Sequence, residues 1–185
     1  MFRILSYQSQ AEFCNEIIFR PFLEYVPPQA DGSIPCFEDG IDDAYVSTRL
    51  SCLAIENNIY IGANYGSVVP GCEYCIHGGE CYHNTLVVFS NNGSIEGVYH
   101  KYNLWTSELR KFDIDPSPQL VTVDTNFGVL GLSVCADLMW KSPIVDLVTE
   151  QGIDTLLLPL AWWDLFPHQL AHSNEDAWAR GLQVN

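Results

Sequence analysis

The sequence predicts an α/β fold, a sheet structure with helices over its faces. Three observations carry that expectation. Runs of apolar residues such as "TLVVF" and "IDTLLLPLA" suit strands buried on both faces, stretches with helical spacing alternate with them, and breaks rich in Gly, Asn and Pro separate the two kinds. At 185 residues, 48% apolar and 17% charged, the chain has a globular composition and the length for one domain with a substantial core. No repeat, low-complexity tract or linker divides it, so residues 1–185 read as a single domain.

Taken in order, residues 1–40 mix short apolar pieces with "YVPPQADGSIPCFEDG", whose Pro, Gly and Asp read as loop. "DAYVSTRLSCLAIEN" sets Val46, Leu50, Leu53 and Ala54 at helical spacing, and "NIYIGANYG" after it suits a short buried strand. A Gly- and Cys-rich insert, "SVVPGCEYCIHGGECYH", precedes two β-rich runs, "TLVVFS" and "SIEGVYHK", joined across an Asn-Gly turn signal as a hairpin. "QLVTVDT" and "FGVLGLSV" form a second pair of strands broken at Asn126. Ser142-Pro143 opens a helix over "PIVDLVTEQG", and Gly152 stops it. "IDTLLLPLA" is a further buried strand, and "HQLAHSNEDAWARGLQVN" is helical through Leu170, Ala177, Trp178 and Gly181.

Charge narrows the function classes. With 8 Lys+Arg against 23 Asp+Glu the formal charge is -15, which argues against nucleic acid or anionic lipid held on a basic surface. The longest apolar stretch, "IDTLLLPLAWW", is too short to span a bilayer, and "MFRILSYQSQAEF" lacks the apolar core and cleavage site of a signal peptide. Seven cysteines (14, 36, 52, 72, 75, 81 and 135) are nevertheless many for a cytosolic domain, and their odd number leaves at least one without an intramolecular partner. A natural beginning absent from this sequence would reconcile the two.

Chemistry concentrates at three points. Cys135, in "GLSVCADLMW", stands where a buried strand stops and a helix follows, the place where open α/β sheets carry their ligand crevice. It is a core thiol, half of a disulfide or a nucleophile; a helix starting near Ser142 would favour the thiolate if its first turn faced the sulfur. Lys101, at the end of the hairpin's second strand, is either a solvated strand-end charge or a cation held near a thiolate, where it would also stabilise an oxyanion. Glu108, seven residues on, either orients that lysine or is an exposed loop carboxylate. In the insert, Cys72, Cys75, Cys81, His77 and His83 admit zinc, disulfides or free thiols. Asn92-Gly93-Ser94 fits a glycosylation sequon, a short pattern that also occurs by chance.

Four segments, "YHKYNLWTSE", "FGVLGLSVCADLMWKSP", "DTLLLPLAWWDLFPH" and "AWARGLQVN", occur in the order and approximate spacing of the carbon-nitrogen hydrolase (nitrilase-like) superfamily. They most resemble its vanin and biotinidase branch, over a region from "FRPFLEYVPP" to the last residue. The resemblance implies an α-β-β-α sandwich and hydrolysis of non-peptide amides, such as pantetheine or biotin amides, through a cysteine thioester without a cofactor or metal. It makes Cys135 the nucleophile of a "C-x-D" motif that includes Asp137, Lys101 the lysine of the "HK" motif and Glu108 the accessory glutamate. Trp162, Trp163 and His168 would line the acyl pocket with Asp137, although packing explains the tryptophans equally well. It also favours disulfides over zinc in the insert and near Cys36 and Cys52, and an extracellular or membrane-anchored location.

One element of the pattern is missing. The general-base glutamate should follow a strand as a "P-E" step, and counting back places it near Ser6, where no such step exists; Glu16 matches neither context nor spacing. The resemblance therefore implies further strands before the first residue and beyond Asn185. A partner for the exposed sheet edges, a second copy included, is then expected. The competing expectation is a catalytically impaired homologue or fragment that lacks the general-base glutamate and keeps only a binding or structural role.

Overall fold

Strand polarity and turn chemistry divide the chain into two sheets. The structure, a computed structural model, describes residues 20–26, 33–38, 45–71, 73–76, 79–162 and 171–185. Expectations for Ser6, Cys14, Glu16, Cys72, His77, Trp163, His168 and Leu170 lie outside those residues. The first sheet has the order β1 (Glu24–Tyr25), β2 (Ile61–Pro70), β3 (Glu80–Phe89) and β4 (Ile95–His100). β1 runs parallel to β2, and the other neighbours are antiparallel. The second sheet has the order β5 (Thr122–Thr125), β6 (Gly128–Leu132) and β7 (Thr155–Leu157), with β5 antiparallel and β7 parallel to β6.

The expected hairpin is present. Gly93, at φ 87°, turns the chain between β3 and β4, a conformation that costs glycine little. Ser90 and Ser94 close the turn backbone to backbone, while the exposed Asn92 accepts the Ser94 N-H through its side-chain oxygen. β3 begins earlier than the apolar pattern suggests, at Glu80, because the insert itself turns the chain between β2 and β3. Gly71 N-H donates to Gly79 C=O there, and the structure pairs Cys75 with Cys81.

Between the sheets lies the main core, built from Leu86, Val88 and Tyr99 on one side and Val123, Leu130, Leu132 and Val134 on the other. Strand alternation puts these residues on inward faces. Gly97 lets the sheets close: a Cβ there would stand 2.6 Å from Val123 Cγ2 and 2.8 Å from Leu132 Cδ1. The outer face of the first sheet carries α1 (Tyr45–Asn57), with Ala54 against Val87, Phe89 and Ile95. On the second sheet, Ile144 and Leu147 of α2 (Ile144–Gln151) are buried, and Gly152 ends the helix in the left-handed region, as expected. Helix, sheet, sheet and helix thus stack in the predicted sandwich order. A third helix, α3 (Ala171–Leu182), contains Ala177, Trp178 and Gly181 as expected and has no buried residue.

Two further expectations require correction. On α1 the buried side is Ser47, Ser51 and Ala54, while Val46 and Leu53 are exposed. Polar bonds decide the orientation: Glu24 accepts from the Ser47 N-H (2.7 Å) and hydroxyl (2.6 Å), capping the helix from β1, and the Ser51 hydroxyl donates to Gly93 C=O (2.7 Å). The Cys36–Cys52 disulfide fixes the same helix to the short 3-10 turn Pro35–Phe37. In "IDTLLLPLA" only Thr155–Leu157 is strand, each residue partly buried, because β7 pairs with β6 over that length alone.

Candidate active site

Both sheets deliver their chemistry at strand ends. β4 ends at His100, and Lys101 follows with its backbone N-H on Asn84 C=O (2.8 Å) and its side chain only 2% exposed. A buried ammonium needs a counter-charge. Glu108 supplies it, Oε2 lying 2.6 Å from Lys101 Nζ. That carboxylate is itself held by Asn84 Nδ2 on Oε1 (2.7 Å) and the Trp105 N-H on Oε2 (2.6 Å), while Asn64 Nδ2 donates to Asn84 Oδ1 (2.7 Å). Lys101 and Glu108 therefore form one fixed unit rather than two solvated charges. Among the described residues, Glu108 is the carboxylate hydrogen-bonded to Lys101.

Cys135 follows β6 after Ser133 and Val134. It opens the 3-10 turn Cys135–Met139 with φ 48°, in the left-handed region that a non-glycine residue adopts at a cost of about 1–3 kcal/mol. Surrounding bonds hold it there. The Cys135 N-H donates to Pro159 C=O (3.0 Å), and the Ser133 N-H to Leu157 C=O (3.2 Å). Among the described residues Cys135 is the free cysteine, partly buried against the intersheet core. α2 begins separately at Ile144, so the residue stands at the start of its own short turn.

Asp137 links the two parts. Its carboxylate is fully buried and takes four donors: the Asn103 N-H and Nδ2 on Oδ1 (both 2.8 Å), and the Tyr99 hydroxyl (2.8 Å) and Val134 N-H (3.0 Å) on Oδ2. Asn103 Nδ2 also reaches Ser142 C=O (2.9 Å). One side chain thus ties the segment after β4, which carries Lys101, to the turn that carries Cys135. Burial first, and the Asp137 charge second, raise the Tyr99 pKa well above the usual phenol value, so the hydroxyl stays protonated and donating. The expected substrate contact of Asp137 is not what its surroundings present, since both oxygens are engaged by the protein and none of its surface is exposed.

The expectation that Trp162 lines a pocket meets a partly buried side chain in the segment after Pro159, the residue that receives the Cys135 N-H. Asn64, Asn84 and Asn103 were not singled out by sequence; the signal was a polar residue in a β-rich run (Asn64, Asn84) or two positions after the lysine (Asn103).

Residues 23–180 match the carbon-nitrogen hydrolase family. The chain belongs to that family. It is 39% identical over 177 residues to a pantetheinase of Mus musculus, covering 94% of this chain and 34% of that protein. A biotinidase of Takifugu rubripes is 37% identical over 155 residues, covering 79% of this chain and 30% of its own length. Among solved structures, Nit3 of Saccharomyces cerevisiae, a member of branch 10 of the nitrilase superfamily, superposes with a TM-score of 0.69 at 19% identity, covering 92% of this chain and 55% of that one. That likeness establishes the shared fold. The chain spans about a third of the length of the pantetheinases it matches. Among the described residues no helix is long and apolar enough to cross a membrane.

Proposed function

We propose that the chain carries the nucleophile half of an amidohydrolase site that cleaves a small linear amide through a thioester on Cys135. The observation that carries this reading is the Asp137 tie, which couples the buried Lys101–Glu108 pair to a partly buried thiol held in an uncommon backbone conformation. The Cys135 thiolate attacks the amide carbonyl; its carbon-sulfur bond forms, the carbon-nitrogen bond breaks, and the amine departs with a proton. Lys101 stabilises the oxyanion, and Glu108 fixes the position of the ammonium. Water then cleaves the thioester, releasing the acid and restoring the thiol.

Similarity to a pantetheinase and a biotinidase supports pantetheine or a biotinyl amide as the first substrates to assay. Cys135, Lys101 and Glu108 act on the amide, and the family resemblance supports Trp162 as a border of the acyl group, with Trp163 and His168 outside the described residues. The family resemblance favours an extracellular or membrane-anchored protein. The exposed Asn92 turn suits glycosylation in that setting. A homo-oligomer fits sheet edges that need partners.

A second reading rests on a specific observation: Glu108 is the carboxylate bonded to Lys101 among the described residues, and a general base is worth about 10²- to 10⁴-fold. On that reading the chain acylates and then stalls, or binds without turnover. Release of cysteamine from pantetheine and amine from biotinyl amides tests the proposal. Turnover abolished by Cys135→Ala is expected; a rate unaltered by that substitution contradicts it.

A further inference from the structure

The inward face of the first sheet changes character along its length. Leu86 and Val88 of β3 point into the intersheet core, and strand alternation puts Asn84 on that same face. Asn64 of β2 is the cross-strand partner of Leu86, so it shares the face and lies diagonally beside Asn84. Where the apolar residues end, the sheet thus presents two partly buried amides. They begin a line of hydrogen bonds that finishes at the Lys101 ammonium.

The chemistry of the groups fixes the direction of each bond. A carboxylate only accepts, so it is the NH2 of Asn84 that faces Glu108 Oε1 (2.7 Å). Asn84 Oδ1 then points back along the sheet, where Asn64 Nδ2 donates to it (2.7 Å). Asn64 Nδ2 also donates to Thr85 C=O (2.9 Å), which fixes the sense of that amide in turn. Reversing the Asn84 amide would set oxygen against carboxylate and NH2 against NH2. Asn64 therefore locks the one orientation of Asn84 that Glu108 requires.

We propose that Asn84, locked by Asn64, is a positioning residue that holds both ends of Lys101. Its backbone carbonyl accepts from the Lys101 N-H (2.8 Å), and its side-chain amide fixes Glu108, whose Oε2 lies 2.6 Å from Lys101 Nζ. The inference rests on the amidohydrolase reading above. A lysine has a flexible stem, and an ammonium anchored through its backbone alone would sweep a range of positions. Tethered at both ends, it stays where the oxyanion of the acyl step develops.

Stability alone does not call for this arrangement. Apolar residues of similar volume commonly replace a buried ion pair without loss, so a pair backed by two ordered amides is retained for something else. What the amides add is direction. Misplacement of a group by about 1 Å can cost about 10²-fold in rate, which a loosened Glu108 would impose on Lys101. With the Trp105 N-H also on Oε2 (2.6 Å), Glu108 is held from both oxygens and serves as a fixed counter-charge. Two partly buried amides on neighbouring strands thus act on the chemistry only through Glu108.

The test uses the full chain with disulfides intact and two readouts. The first is competitive labelling by acetic anhydride, comparing Lys101 with the exposed Lys141 by peptide mapping. Asn84→Ala and Asn64→Ala should each raise the Lys101 to Lys141 ratio by at least about threefold while circular dichroism stays unchanged. Asn91→Ala, which removes an asparagine bonded to Asn58 on the surface, should leave the ratio as it is. The second readout is cysteamine release from pantetheine. Asn84→Ala should lower kcat by about ten- to a hundredfold with KM within about twofold of the parent. Asn84→Asp, which keeps the volume but turns an acceptor toward Glu108, should lower kcat at least as far, and Asn64→Ala less, since it acts through Asn84. If Asn84→Ala does not fold, Asn64→Ala decides by the same readouts. A parent that releases no cysteamine sinks the amidohydrolase reading, and the labelling ratio then decides the positioning role by itself. An unchanged ratio in the folded alanine variants, or a change in KM alone, overturns the proposal.

Discussion

Replacing Asp137 by Asn is the sharpest perturbation of the frame around Cys135. The volume is retained, but one acceptor oxygen becomes an amide NH2, so two of the four donors now face a donor. Hydrogen bonds to a charged group contribute about 1.5–3 kcal/mol each, so losing two costs roughly 3–6 kcal/mol. A domain with about 5–15 kcal/mol of total stability would register this plainly. With a urea dependence near 2 kcal/mol per molar, the unfolding midpoint should fall by about 2 M. Tyr99→Phe, which removes one donor, should cost about 1–3 kcal/mol. The second readout is alkylation of Cys135 by iodoacetamide, located by peptide mapping, since weaker bonds at Asp137 loosen the tie between the Asn103 segment and the turn that holds φ at 48°. Asp137→Asn should change that rate more than Tyr99→Phe. An unfolding free energy within about 0.5 kcal/mol of the parent's, with an unaltered alkylation rate, would refute the positioning role.

Glu108→Ala leaves the buried Lys101 without its counter-charge and should cost about 3–5 kcal/mol by urea unfolding, whereas Glu108→Gln, which keeps an acceptor, should cost less; equal losses would show that charge is not the cause. Stability should also decline in alkali. Burial raises the Tyr65 pKa, helped by the Glu24 charge and opposed by the Ser47 hydrogen bond, and burial with Asp137 raises Tyr99. Above about pH 10 the folded chain therefore binds more protons than the unfolded one, so stability falls by up to about 1.4 kcal/mol per pH unit for each tyrosine. Tyr65→Phe and Tyr99→Phe should each flatten that slope between pH 10 and 11, and a slope unaffected by both contradicts the assignment.

Periodicity and turn chemistry revealed what depends on local sequence. The Asn-Gly hairpin, the break at Asn126 and the Pro143 to Gly152 helix follow from backbone preferences that tertiary contacts did not reverse. α1 shows where that reasoning stops. Its apolar residues are at helical spacing, yet Ser47 and Ser51 turn inward because Glu24 and Gly93, 23 and 42 residues away in sequence, offer acceptors there. Spacing cannot report such partners. The candidate site divides in the same way: Cys135, Lys101 and Glu108 could be proposed from sequence because several motifs recur together, while the bonds of Asp137 depend on donors from Tyr99 and Asn103, which belong to another sheet and the segment after it. His83 was visible only as a possible zinc ligand beside cysteines; its stacking on His100 needed the register of β3 against β4.

Capture of the acyl intermediate tests the central claim most directly. The full chain is incubated with pantetheine, quenched in acid and digested without reducing agent, and the peptide containing Cys135 is weighed. A pantothenoyl thioester on Cys135, absent in Cys135→Ala and reduced in Lys101→Gln, is the predicted result. It should accumulate most if deacylation lacks its base. Amide turnover without any adduct at Cys135, or an adduct on another residue that survives Cys135→Ala, would contradict the account.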